Sequence, residues 1–333
     1  MEACYLNSRF AKTLGKRRVI ARIFALISIV TLVKFTFLTE IASDKYSIGK
    51  NNYTGARRCI TRNVSEGIEV NTKAVVMKEV AQHLKGKPHR GGWAPIDCKR
   101  EIKVAIIVPY RNRPENLSIF LRHMHNFLQR QKRNYQIFII EQSDDLLFNR
   151  GSLLNIGYKE IQKYDNFTCL IFHDLDMLSE HTSVGYDCIK SGIIHLSSRL
   201  SVTNYTLPYK RYIGGVLSIS PRTFQKLNGY ANTFWGCGGE DDELVNRIEH
   251  NGIKLYRLTE SMSRYHCLSH GNSEQVYNKN RFKILESSSS RYSLDGLNDL
   301  VYDTIEASEG ILFVKISVSL LKLRSLIHKE FDI

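Results

Sequence analysis

The chain has 333 residues, of which 43% are apolar, so it can bury a sizeable core in one or two domains. Its net charge of +14 raises the question of nucleic-acid binding, but residues 1–34 hold seven basic residues and one acidic residue, which leaves +8 for the other 299. Neither a basic stripe interleaved with aromatic residues nor zinc-finger spacing is present. Composition therefore argues against a nucleic-acid-binding protein.

An apolar segment at residues 19–38 predicts a single-pass membrane anchor, because it is long enough to span a bilayer and follows five basic residues. The positive-inside rule makes residues 1–18 a cytosolic tail, and the polar residues 39–58 a stem before a lumenal or extracellular domain over 59–333. Arg22 and Lys34 are tolerated only if their side chains reach an interface. A cleaved signal peptide is the alternative, although no A-x-A-like site clearly follows.

Cysteines and glycosylation sequons agree with this compartment. Six of the seven cysteines follow the predicted anchor, an even number that suits oxidising conditions. Asn-x-Ser/Thr sequons occur at Asn52, Asn63, Asn116, Asn166 and Asn204. Both features indicate a domain outside the cytosol.

Strands and helices alternate from residue 104 onward. The predicted strands are Val104–Val108, Tyr135–Ile140 and Leu170–Phe172, and the predicted helices cover 117–128 and 152–163. Earlier signals are weak, with a helix over 73–84 and a loop over 91–95, so the organised fold is expected to start at Val104. The order predicts an α/β fold with a mostly parallel, twisted sheet, right-handed crossovers and helices on both faces, an architecture typical of nucleotide binding.

Two carboxylates, Asp174 and Asp176, follow the third predicted strand. Residues i and i+2 of a strand share a face, and ligands of open α/β sheets bind beyond the carboxyl ends of the strands. Two oxygen ligands there suit Mg²⁺ or Mn²⁺ and, through it, a diphosphate. The alternative is that the acids only cap the strand.

Basic side chains surround the same edge of the predicted sheet. Arg111 and Arg113 follow the first strand, where guanidiniums can bind phosphate or uracil oxygens. Phe148 and Arg150 precede the second helix and offer a ring beside another guanidinium. An ordinary solvated basic loop is the competing interpretation.

A dense run of glycines, aromatics and acids covers residues 228–243. It predicts a sugar platform, then a helix with carboxylates in its first turn that stops at Gly252. Acids at a helix start also complement the helix dipole. Upstream, the pair Gly214-Gly215 either lets the backbone approach a ligand or only makes a turn.

The sequence His266-Cys267-x-x-His270 supplies nitrogen and sulfur ligands. A structural zinc site needs four protein ligands, and no matching second pair lies nearby. These residues either complete the shell of an ion at Asp176 or are unligated loop residues.

Together these motifs resemble the β-1,4-galactosyltransferase family of Golgi type II membrane enzymes, over about residues 59–320. The matching motifs are Ala94-Pro95-x-Asp97-Cys98, Val108-Pro109-Tyr110-Arg111-Asn112-Arg113, Phe148-Asn149-Arg150, Asp174-Leu175-Asp176, Tyr212-x-Gly214-Gly215-Val216, Trp235-Gly236-x-Gly238-Gly239-Glu240-Asp241-Asp242 and Asp295-Gly296-Leu297-Asn298.

The resemblance implies a GT-A-type nucleotide-diphospho-sugar transferase fold, a UDP-sugar donor, Mn²⁺ and inversion at the anomeric carbon. Asp241 matches the general base, with Glu240 beside it on the donor sugar. Residues matching the donor site are Pro109, Arg111, Arg113, Phe148, Arg150, Asp174, Leu175, Tyr212 and Gly215. Residues matching the acceptor site are Trp235, Asp242, Arg281 and Phe282, and the metal ligands are Asp176, Cys267 and His270. The family's disulfides fall on Cys59 with Cys98 and on Cys169 with Cys188.

The resemblance also gives the expected reaction and location. Tyr212 stands where galactose-using members carry tyrosine, which predicts UDP-galactose as donor, a terminal GlcNAc-type glycan as acceptor and a β1,4 linkage. The expected location is the Golgi membrane, with the catalytic domain lumenal and no nucleic-acid partner. Alternatives are a relative that uses UDP-GalNAc or a xylose acceptor, and a catalytically weak glycan-binding homologue.

Two departures from the family pattern leave questions open. Cys237 replaces a tryptophan of the mobile loop, which removes stacking area and an indole N–H, and it could pair with Cys267. The family's Met-x-x-His metal site becomes Cys267-x-x-His270 here, whereas alignment backward from Arg281 puts His266 at the methionine position. The third metal ligand is thus either Cys267 or His266.

Overall fold

The computed structural model describes residues 59, 67–84, 86–269 and 276–331, and they belong to one compact unit. The helices are α1 (Met77–His83), α2 (Pro114–Arg130), α3 (Arg150–Ile161), α4 (Pro221–Lys226), α5 (Glu240–His250), α6 (Arg281–Glu286), α7 (Ser288–Arg291) and α8 (Leu321–Phe331). The predicted tail, anchor and stem lie outside the described residues. No helix among the described residues is long and apolar enough to cross a membrane.

The strands form one large sheet and one small one. The strands are β1 (Gly92–Trp93), β2 (Lys103–Tyr110), β3 (Asn134–Gln142), β4 (Cys169–His173), β5 (Met177–Ser179), β6 (Ile193–His195), β7 (Arg199–Leu200), β8 (Val216–Ile219), β9 (Leu255–Arg257), β10 (Arg264–Cys267), β11 (Asp303–Glu309) and β12 (Val314–Ser319). The large sheet has the order β11-β12-β3-β2-β4-β8-β6-β9, with β1 added on β3, and the small sheet has the order β5-β10-β7.

The centre of the large sheet is parallel, as the alternation of strands and helices predicts. Strands β12, β3, β2 and β4 all run in one direction, whereas β11, β8 and β1 pair antiparallel to their neighbours. Strand β2 is buried at seven of its eight positions, which requires cover on both faces of the sheet. The predicted α/β class is confirmed, and antiparallel strands join the parallel centre on both sides.

The first predicted strand ends two residues too early. Pro109 and Tyr110, predicted as loop, continue β2 by pairing with Ile140 and Glu141 of β3. Pairing with β4 has already stopped at Ile107. Pro109 therefore lies in a part of β2 that pairs with β3 alone, where the missing N–H of a proline is tolerated. The loop with the two arginines begins at Arg111.

The ordered fold also begins earlier than the sequence predicts. Helix α1 lies within the predicted 73–84 segment. Gly92 and Trp93, predicted as loop, form β1 against Tyr135 and Gln136 of β3. A Cβ at Gly92 would lie 2.1 Å from the Tyr135 carbonyl oxygen, so this strand approaches its neighbour more closely than a side chain allows.

Both disulfides implied by the resemblance are present, Cys59–Cys98 and Cys169–Cys188. Cys267 is a buried free thiol. The suggested pairing of Cys237 with Cys267 is therefore wrong.

Candidate active site

The guanidinium of Arg150 lies at the centre of a cluster of carboxylates beyond the ends of β2 and β4. Its Nε donates to Asp174 Oδ1 at 2.7 Å, and its Nη1 donates to Asp241 Oδ1 at 2.9 Å. Nη1 also lies 3.6 Å from Glu240 Oε1, and the Arg150 side chain is 13% exposed. One buried cation thus connects the acids after β4 with those that begin α5.

Two helix starts bring these groups together. Arg150 is the first residue of α3, two residues earlier than predicted, and the side chain of Asn149 caps the helix by accepting from Ser152 N. Helix α5 begins at Glu240, with four acids in its first turn. The preceding Gly239 has a φ of 107°, and a Cβ there would lie 2.4 Å from the Phe234 ring. The left-handed backbone and the close packing explain the glycine immediately before the four acids.

Burial raises the pKa values of Glu240 and Asp241 to different extents. Burial and the charge of Asp241 raise the pKa of Glu240 to about 8, against the opposing effect of Arg150. Burial also raises the pKa of Asp241, to about 6, and Arg150 limits that rise. Near neutral pH, Glu240 therefore keeps its proton while Asp241 is ionised, which is the state that a general base requires.

The first carboxylate pair of the sequence does not share one face of a strand. Strand β4 ends at His173, so Asp174 and Asp176 lie in the following turn. Asp174 pairs with Arg150, whereas Asp176 Oδ2 lies 3.5 Å from Arg113 Nη1. The i/i+2 argument for a common direction is wrong here, although both carboxylates lie at the predicted edge of the sheet.

Asp176 is 3% exposed, and its neighbours include a thiol. Burial and the charge of Asp174 raise the pKa of Asp176 to about 7, while Arg113 lowers it. Cys267 is 8% exposed, and its Sγ lies 3.6 Å from Met177 Sδ. Burial raises the pKa of this thiol to about 11, and the charge of Asp176 adds to that effect. A bound divalent cation would stabilise the ionised forms of the Asp176 carboxyl and the Cys267 thiol, which burial disfavours. These two groups therefore fit a metal site.

The register of the small sheet separates the two possible third ligands. In β10, His266 pairs with Leu178 and Cys267 pairs with Met177, the residue that follows Asp176. Side chains alternate along a strand, so His266 lies on the face opposite Cys267. Within the described ranges, which stop at Ser269 and resume at Val276, no group of three metal-ligating side chains is present. His270 falls in that gap.

The remaining predicted donor-site residues lie around the same edge. The guanidinium of Arg111 lies 5.6 Å from the centre of the Phe148 ring, and its Nη2 donates to Asp144 O at 3.1 Å. Pro109 and Leu175 are buried beside these loops.

Gly214 and Gly215 approach side chains of the protein itself. A Cβ at Gly214 would lie 2.8 Å from both Asp241 Oδ2 and the Tyr212 hydroxyl, so Gly214 separates these two groups. Gly215 has a φ of 90°, and a Cβ there would lie 2.5 Å from Ser197 Oγ. Ser197 Oγ and His195 Nε2 both donate to the Gly214 carbonyl. The close packing explains the glycines without a ligand.

The predicted acceptor-site residues lie in different environments. Asp242 Oδ1 accepts from the Tyr209 hydroxyl at 3.0 Å. Arg281 adjoins the Gly238–Gly239 turn and stacks 4.5 Å from the ring of Phe282, which is 50% exposed. Trp235 is 4% exposed in the main core, with Arg324 lying 5.3 Å from its ring.

Several residues of the site are not predicted from the sequence. Tyr209, His195 and Ser197 hold Asp242 and Gly214 through contacts between 17 and 33 residues apart. No local pattern marks them. Tyr209 and Ser197 lie in loops and His195 ends strand β6, and residues of these types have many ordinary roles in such places.

Fold and site together define a GT-A-type glycosyltransferase, and comparison with known proteins gives the family. The family model described as the N-terminal region of glycosyl transferase group 7 matches residues 59–189, and the model described as the N-terminal domain of galactosyltransferase matches residues 194–271. Beta-1,4-galactosyltransferase 5 of Danio rerio is 39% identical over 76% of this chain and 67% of its own length. The chain belongs to the β-1,4-galactosyltransferase family.

Other relatives and solved structures agree. Beta-1,4-galactosyltransferase 6 of Homo sapiens is 39% identical over 69% of this chain, and the match spans 60% of that relative's length. The catalytic domain of Drosophila β1,4-galactosyltransferase 7 with xylobiose has a TM-score of 0.58 at 26% identity, covering 66% of this chain and 94% of that chain. A mutant of that enzyme with manganese, UDP-Gal and xylobiose has a TM-score of 0.56.

Proposed function

We propose that this protein transfers galactose from UDP-galactose to a terminal GlcNAc-type glycan, with inversion and a β1,4 linkage. The observation that carries the proposal is the cluster in which buried Arg150 joins Asp174 to Asp241 and Glu240. The solved relative with manganese and UDP-Gal supports the choice of donor. We also propose that the chain is a single-pass Golgi membrane protein with its catalytic domain in the lumen.

The protein's own side chains supply the acid–base chemistry. Asp241 takes the proton of the attacking acceptor hydroxyl as a general base. Glu240 keeps its proton at neutral pH and can donate a hydrogen bond to a hydroxyl of the donor sugar. Arg150 limits the rise in the pKa of Asp241, so the base stays ionised within a buried cluster.

Asp176, Cys267 and His270 would hold a divalent cation, which we propose is Mn²⁺. When bound, such an ion would supply Lewis-acid neutralisation of the diphosphate leaving group, which would then need no protonated acid. We expect Arg113, which lies next to Asp176, and Arg111, which lies beside Phe148, to contact the phosphates and the uridine.

The cysteine and histidine of β10 are expected to differ in metal binding. Replacing Cys267 with alanine should raise the Mn²⁺ concentration needed for half-maximal activity by about tenfold or more, because a ligand is lost. Replacing His266 with alanine should leave it within about twofold, since His266 lies on the other face of β10. Initial rates over a Mn²⁺ titration after EDTA treatment measure both. The opposite order would assign the ligand to His266.

Tyr209 is expected to act on acceptor binding through Asp242. Replacing Tyr209 with phenylalanine removes the only hydroxyl that donates to Asp242 Oδ1 among the described contacts, and a hydrogen bond to a charged group contributes about 1.5–3 kcal/mol. The KM for acceptor should rise about tenfold or more, with the KM for UDP-galactose unchanged. Tyr256→Phe, at an exposed tyrosine of β9, is the control. A rise in the donor KM alone would contradict the assignment of Asp242 to the acceptor.

A matrix of donors and acceptors tests the proposed specificity. The full-length chain is assayed with UDP-Gal, UDP-GalNAc and UDP-GlcNAc against GlcNAc, glucose and xylose acceptors, each with Mn²⁺ or EDTA. We expect the highest rate with UDP-Gal and GlcNAc. Preference for xylose would favour the second candidate, which the xylobiose complex of the Drosophila enzyme suggests. Glycan binding without transfer would indicate a lectin-like homologue instead.

A further inference from the structure

A buried asparagine, Asn232, joins the segments that carry the reacting side chains. Its side-chain Nδ2 donates to Gly296 O at 2.6 Å and to Asp299 Oδ1 at 2.7 Å. Its Oδ1 accepts from Ser152 Oγ at 3.0 Å and from Asn155 Nδ2 at 2.9 Å. The side chain is fully buried, and all four of its hydrogen-bonding positions are used.

The backbone of Asn232 adds to the same network. Its N–H donates to Asp295 Oδ1 at 2.6 Å, and its carbonyl accepts from Asn149 Nδ2 at 2.7 Å. Three segments therefore meet at one residue: the start of α3, the loop that leads to α5, and the turn over residues 295–299. In a low-dielectric interior such a network is rigid only while every member is satisfied.

This junction lies next to the carboxylate cluster. Arg150 stands between Asn149 and Ser152, two of the residues that bind Asn232. A Cβ at Gly151 would lie 2.8 Å from Ala231 O and 3.8 Å from the Cβ of Glu240. The backbone of α3 thus packs directly on the loop before α5, with no space for a side chain at Gly151.

We propose that Asn232 is a positioning residue that holds Arg150 against Asp241, so that the guanidinium and the general base act together. The inference rests on the proposed function for the role of Asp241. Asn232 is 0% exposed, so its side chain is not accessible to a ligand, and it acts through α3 and through the loop that leads into α5.

The charges around Asp241 indicate how its pKa would change if the hydrogen-bond network of Asn232 were weakened. The titratable groups that face Asp241 are Arg150 from α3, Asp174 after β4, Glu240 and Asp242 of α5, Tyr209 and Tyr212 before β8, and Tyr230 of the connecting loop. Among the described residues named here, Arg150 is the one that carries a positive charge. Moving it away from its 2.9 Å contact removes the one positive charge that opposes protonation of Asp241.

The test is the pH profile of kcat/KM for full-length wild type, Asn232→Ala, Ser152→Ala and Asn251→Ala. Asn251 is a matched control, because its amide binds Arg247 O and the Tyr292 hydroxyl at the far end of α5. We expect Asn232→Ala to move the acidic limb upward by about one pH unit, and Ser152→Ala to move it less. Asn251→Ala should lower the melting temperature without moving the limb.

A second readout does not depend on turnover. The ¹³C NMR titration of the Asp241 carboxyl, assigned by its loss in Asp241→Asn, reports the same pKa directly. If wild type transfers no sugar, the proposed function fails, and the titration alone decides the role of Asn232. An unchanged Asp241 pKa in both Asn232→Ala and Ser152→Ala would overturn the inference, and Ser152→Ala serves if Asn232→Ala does not fold.

Discussion

Replacement of Arg150 with alanine is expected to abolish most of the activity and to destabilise the fold. Removing one partner of a buried ion pair costs about 3–5 kcal/mol, and here three carboxylates lose the same partner. The lower end applies, because Glu240 already carries a proton near neutral pH and protonation of Asp241 would relieve part of the remaining repulsion. Loss of an electrostatic contact in the reacting cluster should reduce kcat/KM about a hundredfold to a thousandfold.

The measurements for Arg150→Ala are thermal unfolding and kcat/KM as a function of pH. The pKa of Asp241 should rise without the guanidinium, so the remaining activity should shift toward higher pH. Arg211→Ala is the control, because Arg211 pairs with Glu249 of the same helix α5 at the surface. Wild-type activity in Arg150→Ala would show that the cluster is not part of the active site.

Replacement of Asp241 with asparagine should lower kcat about 10²–10⁴-fold, with little change in either KM, because the amide cannot accept the acceptor's proton. Wild-type kcat/KM should fall below about pH 6 as Asp241 is protonated. That acidic limb should be absent in Asp241→Asn.

The matched control for Asp241→Asn is Glu249→Gln, an equivalent charge removal at an exposed position of α5. Steady-state kinetics with varied donor and varied acceptor distinguish a chemical effect from a binding effect. A change confined to the acceptor KM would make Asp241 a binding residue and would return the role of base to another carboxylate.

Continuous apolar runs were sufficient to predict the centre of the fold. The β-branched run of β2 and the apolar run of β4 are strands because their residues are buried on both sides. Their ends could not be predicted, since tertiary pairing extends β2 through Pro109 and Tyr110. The short strand β1 forms because Gly92 fits closely against β3. A pattern of apolar residues along the sequence does not predict such a contact.

The sequence predicts those parts of the candidate site in which one short segment has an unusual composition. The acids of α5 and the arginines after β2 stand out by composition, and the structure brings them to one edge of the sheet. Asn232 and Tyr209 could not be recognised, because their partners lie far away in sequence. The choice between Cys267 and His266 depends on strand register, which fixes the face that each side chain occupies.

The most direct test of the proposed function is the product itself. The full-length chain is incubated with UDP-galactose, Mn²⁺ and a GlcNAc acceptor, and the purified product is examined by ¹H NMR for the configuration and position of the new linkage. Transfer with inversion predicts a β-linked galactose on O4 of GlcNAc, and none with Asp241→Asn. An α-linked product, or free galactose in place of a disaccharide, would contradict the account.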